Sequence, residues 1–158
     1  MLRQHSITLR PFQNADSEFF ASLASDERVT RFIGFGQAWD QQTISACVQE
    51  SLQHEPLDTV GASRWFLAAE ANEAVGVVFS TRQETRVEIG YWVSPDQWGR
   101  GVGGAMLDSA LITIPKIYGI TKFSARVAPA NTVSATLLTR RGFELQSLDA
   151  QLAHYVLD

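Results

Sequence analysis

The sequence predicts an α/β fold, a mixed and mostly antiparallel central sheet of about six to seven strands with helices on both faces. Three observations predict it. Ala74–Thr81, AVGVVFST, is a nearly unbroken apolar run, the pattern of a central strand covered on both sides. Val87–Ala105, VEIGYWVSPDQWGRGVGGA, reads as a buried strand, a connection containing Pro95, and a run of glycines opening a helix. The whole chain falls into the order strand, helices, three strands, helix, strand, helix, two strands, with no repeat or linker.

In chain order, Ser6–Pro11 alternates apolar and polar residues and reads as a strand stopped by Pro11. Asn14 or Asp16 can cap a helix whose apolar face carries Phe19, Phe20 and Leu23, and a short helix follows over Asp26–Phe32. Gly34–Trp39 is a loop rich in glycine and aromatic residues. Asp40 caps a helix with Ile44, Cys47, Val48 and Leu52 at helical spacing, ending near His54. After a loop over Pro56–Ser63 come the strands Arg64–Glu70, Ala74–Thr81 and Val87–Val93 in meander order. The helix from Gly101 runs to about Ile114, with Pro115 as its terminator. Lys122–Val127 is a strand, Asn131–Arg141 a helix closed by Gly142, and Phe143–Leu148 and Leu152–Leu157 are the last two strands.

Length and composition bound the function. At 158 residues the chain is read as one domain over 1–158 with a core of useful size. A net charge of −4 with no basic run argues against nucleic acid as a partner. Cys47 is the sole cysteine, so no intramolecular disulfide and no cysteine-based zinc site can form, and it reads as a buried structural thiol. His5, His54 and His154 have no metal-ligand spacing, and no metal is expected. The N-terminal MLRQHSITLR has no apolar signal core, and no run approaches the about 18 apolar residues of a membrane span. The expected setting is cytoplasmic without a membrane partner, as a monomer or a homodimer.

The glycine run asks for an anion. Gly99, Gly101, Gly103 and Gly104 fall within six positions around Arg100, so the backbone can approach a ligand closely at a helix N-terminus. A P-loop would need Gly-Lys followed by Ser or Thr, which is absent. Gly99, Gly101 and Gly104 formally match a dinucleotide fingerprint. However, Ser94–Trp98 separate it from its strand, and no acidic residue lies between Asp108 and Glu144 to hold a ribose. The third candidate is acyl-CoA. Arg100-x-x-Gly103-x-Ala105 resembles the Q/R-x-x-G-x-G/A signature of the GNAT acetyltransferases. Tyr91-Trp92-Val93 with Pro95 before the loop, and Asn131-x-x-Ser134 with Gly142-Phe143 after it, extend the resemblance over roughly 87–143. Trp98-Gly99-Arg100-Gly101 and Ser134 most resemble the branch of ribosomal-protein N-terminal acetyltransferases.

The resemblance implies a GNAT fold and transfer of an acetyl group from acetyl-CoA to a primary amine, most fittingly the α-amine of a peptide or protein. It implies that backbone N–H groups of Arg100, Gly101, Val102, Gly103, Gly104 and Ala105 receive the pyrophosphate, with Trp98 and Gly99 leading into that loop. The strand Val87–Val93 would splay from its neighbour, with a bulge sparing backbone groups for pantetheine. Trp92 and Val93 would lie along that arm, the N–H of Val93 donating to the oxyanion. Asn131 would bond the pantetheine arm, or serve only as a helix cap. The tyrosine that many members carry seven residues after Asn131, as acid for the thiolate, is Leu138 here. Ser134 is the substitute acid, or a small residue giving CoA room.

Glu88 is the only charge in VEIGYWV, and period 2 sets it on one face with Gly90 and Trp92. An apolar setting favours the protonated form of a carboxylate, which suits a general base. The equal alternative is a glutamate paired with an arginine across strands. Phe32, Phe35, Trp39 and Trp92 are the candidates to line an acceptor pocket, although core packing is the commoner fate of such residues. An α-amine, ordinarily ionising at about 7.7–8.0, is easier to deprotonate than a lysine at about 10.4, so a modest base fits it better. A small-molecule amine, another acyl-CoA, and a non-catalytic acyl-CoA-binding sensor stay open.

Overall fold

The structure is a computed structural model describing residues 5–158. The reading of the extreme N-terminus concerns residues 1–4 as well, which lie outside the described part. One seven-stranded sheet runs through the molecule in the order β1 (Ile7–Pro11), β2 (Ser63–Glu70), β3 (Glu73–Arg82), β4 (Val87–Val93), β5 (Phe123–Val127), β7 (Ala153–Leu157), β6 (Glu144–Leu148). All neighbours are antiparallel except β4 and β5, which are parallel. That parallel pair requires a crossover, and helix α4 (Val102–Tyr118) supplies it.

Alternation along the central strands gives each face its own core. Val78, Val87 and Ile89 pack with Met106, Leu107, Ala110 and Ile114 of α4 and with Leu138 of α5 (Thr132–Arg140). On the other face Leu67 and Val77 meet Phe20 and Leu23 of α1 (Ser17–Ala24) and Ile44 and Val48 of α3 (Gln41–Ser51). A short α2 (Glu27–Thr30) begins at Asp26, whose side chain accepts from the Arg28 N–H. Asp40 caps α3 as expected, accepting from the Thr43 N–H at 2.7 Å. Among the described residues no helix is long and apolar enough to cross a membrane.

Four expectations are corrected. Pro115 does not end α4, which continues to Tyr118 and closes at left-handed Gly119, whose N–H donates to the Pro115 carbonyl at 2.8 Å. A proline so near the end removes one ladder bond, while the apolar face from Met106 to Tyr118 stays buried. Asp16 does not cap α1 through its side chain. It instead accepts two bonds from Arg10, at 2.7 and 2.8 Å, and one from the Gln13 N–H. Cys47 is only half-buried rather than fully inside, though burial pushes its thiol up and Glu50 adds to the effect. The expected bulge lies in β3 rather than β4: Ala68 pairs with Gly76 and Ala69 with Ala74, leaving Val75 as the extra residue. β4 pairs with β3 from Val87 to Val93 without a shift.

Candidate active site

The sheet opens where β4 and β5 part. They pair only at Val87–Phe123 and Glu88–Ser124, although β4 continues to Val93 and β5 to Val127. The Val87 N–H donates toward β5, to the Lys122 carbonyl at 3.0 Å. Backbone groups alternate along a strand, so the N–H groups of Tyr91 and Val93 point the same way, into the opening. The Ser94 N–H turns the other way, to Val75 on β3. Divergence of β5 therefore leaves spare donors that no bulge in β4 is needed to supply.

At the mouth of the opening lies the glycine loop. Gly99 and Gly101 have φ of +75° and +83°, in the left-handed region where side chains are disfavoured, and Gly101 launches α4. The first helical bond is Ala105 N–H to the Gly101 carbonyl, at 3.1 Å. Ala105 thus has its donor committed, contrary to its inclusion among the anion-binding residues. Val102, Gly103 and Gly104 precede that bond and have no partner within the helix. The first turn lies against β4: a Cβ on Gly103 would sit 3.4 Å from Val93 Cγ2. Trp98 folds back with its indole N–H on the Val93 carbonyl at 2.9 Å, and the Arg100 guanidinium bonds Gln97 Oε1 at 2.9 Å.

The far wall comes from α5. Asn131 caps it, Oδ1 accepting from the Ser134 N–H at 3.2 Å, so the capping role is filled. Ser134 Oγ lies 3.0 Å from the Tyr91 hydroxyl. Burial pushes the Tyr91 phenol above its ordinary value, against the bond to Ser134 and the charge of Arg141. Leu138, at the position where other members have a tyrosine, is fully buried in the core. Tyr91 was not singled out as a site residue by itself. Its signal was available, because alternation sets it on the α4 face with Ile89 and a buried phenol needs a partner there. Arg141 was also missed. It lies over the first turn of α4, its Nη2 2.6 Å from where a Cβ on Gly104 would be, and pairs with Asp108 at 2.7 Å. Nothing local in the sequence announces that contact between α4 and the end of α5.

On the opposite face a cleft of about 340 Å³ is lined by Phe32, Phe79, Glu88, Gly90 and Arg126, among others. Glu88 is the arginine-paired glutamate of the two readings: Arg126 Nη2 lies 2.9 Å from Oε1, and Gln83 Nε2 is 3.4 Å from Oε2. The strand around Glu88 is apolar, but its neighbour β5 supplies a cation. The four aromatic candidates do not gather. Phe32 lines the cleft, whereas Phe35 is fully exposed and outside it. Trp39 and Trp92 are half-buried and pack against the aromatic core, Trp92 stacked on Phe20 at 5.4 Å and edge-on to Trp39 at 5.1 Å. By the alternation above, the Trp92 backbone groups face Val77 on β3 rather than the opening. Among the described residues no group of three or more His, Cys, Asp or Glu could hold a metal.

An opening between parallel strands, a glycine loop at its mouth and a cleft across the sheet define an acyl-transfer scaffold of the acetyltransferase class. The sequence matches the family described as "Acetyltransferase (GNAT) domain" over residues 6–144, and the chain belongs to that family of N-acetyltransferases. An uncharacterised N-acetyltransferase, p20, of Bacillus licheniformis is 23% identical over 147 residues, covering 90% of this chain and 81% of its own. Two solved structures share the fold. Spermidine N-acetyltransferase from Vibrio cholerae, in complex with CoA and spermine, has a TM-score of 0.78 at 16% identity, covering 96% of this chain and 94% of its own. The acetyltransferase of Salmonella typhimurium that modifies the N-terminal serine of ribosomal protein L7/L12 has 0.76 at 18%, covering 96% and 94%.

Proposed function

We propose that the protein transfers an acetyl group from acetyl-CoA to the α-amino group of a peptide or protein N-terminus, by direct attack in a ternary complex. The observation that carries this reading is the parting of β4 and β5 beyond Glu88, with the Val102–Gly104 N–H groups at one end. CoA fits as donor substrate: its pyrophosphate on the glycine loop, pantetheine along the Tyr91–Val93 backbone, thioester beside Val93 N–H. The amine enters from the Glu88 cleft and attacks the thioester carbon. It loses a proton through water to Glu88, while the departing thiolate takes one from Ser134. The products are an N-acetylated amine and CoA thiol; Glu88 then gives its proton to solvent and Ser134 regains one from solvent, which restores the enzyme.

A peptide α-amine is favoured over a polyamine by charge. A polycation asks for several free carboxylates, whereas Glu88 is the only acidic residue lining this cleft and already pairs with Arg126. The lone cysteine suits a reducing cytoplasmic setting. Thiol release from acetyl-CoA, measured against a panel of N-terminal peptides, polyamines and small amines, tests the reading. Turnover with peptides supports it, and turnover with polyamines alone replaces the acceptor. CoA binding without thiol release for any acceptor overturns catalysis in favour of a sensor.

A further inference from the structure

His5, just ahead of β1, reaches the glycine loop. Its ring is almost wholly buried, with side-chain exposure of 3%. Nδ1 lies 2.6 Å from Glu70 Oε2 at the end of β2, and Nε2 faces the carbonyl oxygen of Arg100. The same ring edge passes 3.7 Å from where a Cβ on Gly101 would stand. Both partners are oxygen acceptors. The ring thus stands between an acceptor on the sheet and an acceptor on the loop, one nitrogen facing each.

We propose that His5 is a positioning residue for the CoA-binding loop, a buried ring that ties Glu70 of the sheet to the Arg100 carbonyl. The inference rests on the reading of that loop as the pyrophosphate site. The peptide between Arg100 and Gly101 is planar and trans, so its N–H points opposite to its carbonyl. Fixing the carbonyl on His5 aims the Gly101 N–H outward with those of Val102–Gly104. The anchor behind His5 is firm: Ile7 pairs with Glu70, and its carbonyl accepts from Ser109 Oγ of α4 at 3.0 Å.

The test is CoA affinity by calorimetry, with kcat at saturating CoA. Wild type, His5→Ala, His5→Gln and Glu70→Gln are compared, each with its circular dichroism and Tm. His5→Ala should bind CoA about tenfold more weakly than wild type, and His5→Gln, which can still bond the Arg100 carbonyl, should recover part of that loss. Glu70→Gln keeps the ring but weakens its tie to the sheet and should weaken CoA binding in the same direction, which holds the test open where His5→Ala does not fold. At saturating CoA, kcat should stay within about twofold, because a loop-positioning role acts on donor binding. His5 variants that fold and bind CoA as wild type does overturn the inference. Wild type that binds no CoA overturns the loop reading itself, an outcome visible without any variant.

Discussion

Ser134 and Glu88 stand on opposite sides of the opening, and each has a neighbour that decides what it can do. The Tyr91 hydroxyl is held protonated by burial and lies 3.0 Å from Ser134 Oγ. A tyrosine that keeps its proton is a fixed hydrogen-bond partner that orients the Ser134 hydroxyl. Ser134→Ala should lower kcat about 100-fold and Tyr91→Phe about tenfold, with the CoA Kd nearly unchanged. A Ser134→Ala enzyme with near wild-type kcat would leave the serine as a space-giving residue only. Glu88→Gln keeps a bond to Arg126 but removes the base. Its kcat should fall about 100-fold with the CoA Kd nearly unchanged; an unchanged kcat removes Glu88 from the mechanism.

Elements meet closely here, and two contacts make that measurable. A Cβ on Gly76 would lie 2.4 Å from the Trp92 carbonyl and 2.6 Å from Met106 Cε, so β3, β4 and α4 approach as they do only with glycine there. Gly76→Ala should cost about 2 kcal/mol and lower the denaturant midpoint without changing m. The turn into α1 depends on Asp16. Burial raises its carboxyl, but Arg10 and the Gln13 N–H outweigh this and hold it below the ordinary value. A group so lowered contributes stability above the unfolded value of about 3.9 and loses it as pH falls through the folded one. Asp16→Asn should therefore lose about 2 kcal/mol at neutral pH and less in acid, read as the difference in Tm along a pH series.

At the scale of the molecule the proposed function makes the sheet a holder for one long ligand. CoA binding to the native state alone should raise Tm by about 5–10 °C at one hundred times Kd, whereas NAD should leave it unchanged. A rise with NAD would return the glycine run to the dinucleotide reading that the missing ribose acid argues against.

The residue patterns carried the fold a long way. Alternation and apolar runs identify the seven strands, and Asp40, Asn131 and Gly142 mark helix ends, because these are local effects of backbone and side chain. Motif spacing from Val87 to Phe143 identified the family for the same reason: strand, loop and helix are contiguous there. Pro115 misled because its local cost is outweighed by the buried face of α4 beyond it. Phe32, Phe35, Trp39 and Trp92 are all large aromatic residues, and only packing separates a cleft wall, an exposed ring and two half-buried rings set against the core. Likewise Glu88 reads as a lone charge until β5 brings Arg126 to it across 38 positions of chain. The residue patterns alone set the elements, their order and the glycine loop at the start of α4, all through interactions within a few residues. The tertiary structure decided where β4 and β5 part, which hydroxyl meets Ser134 and what His5 holds, since those depend on residues that only folding makes neighbours.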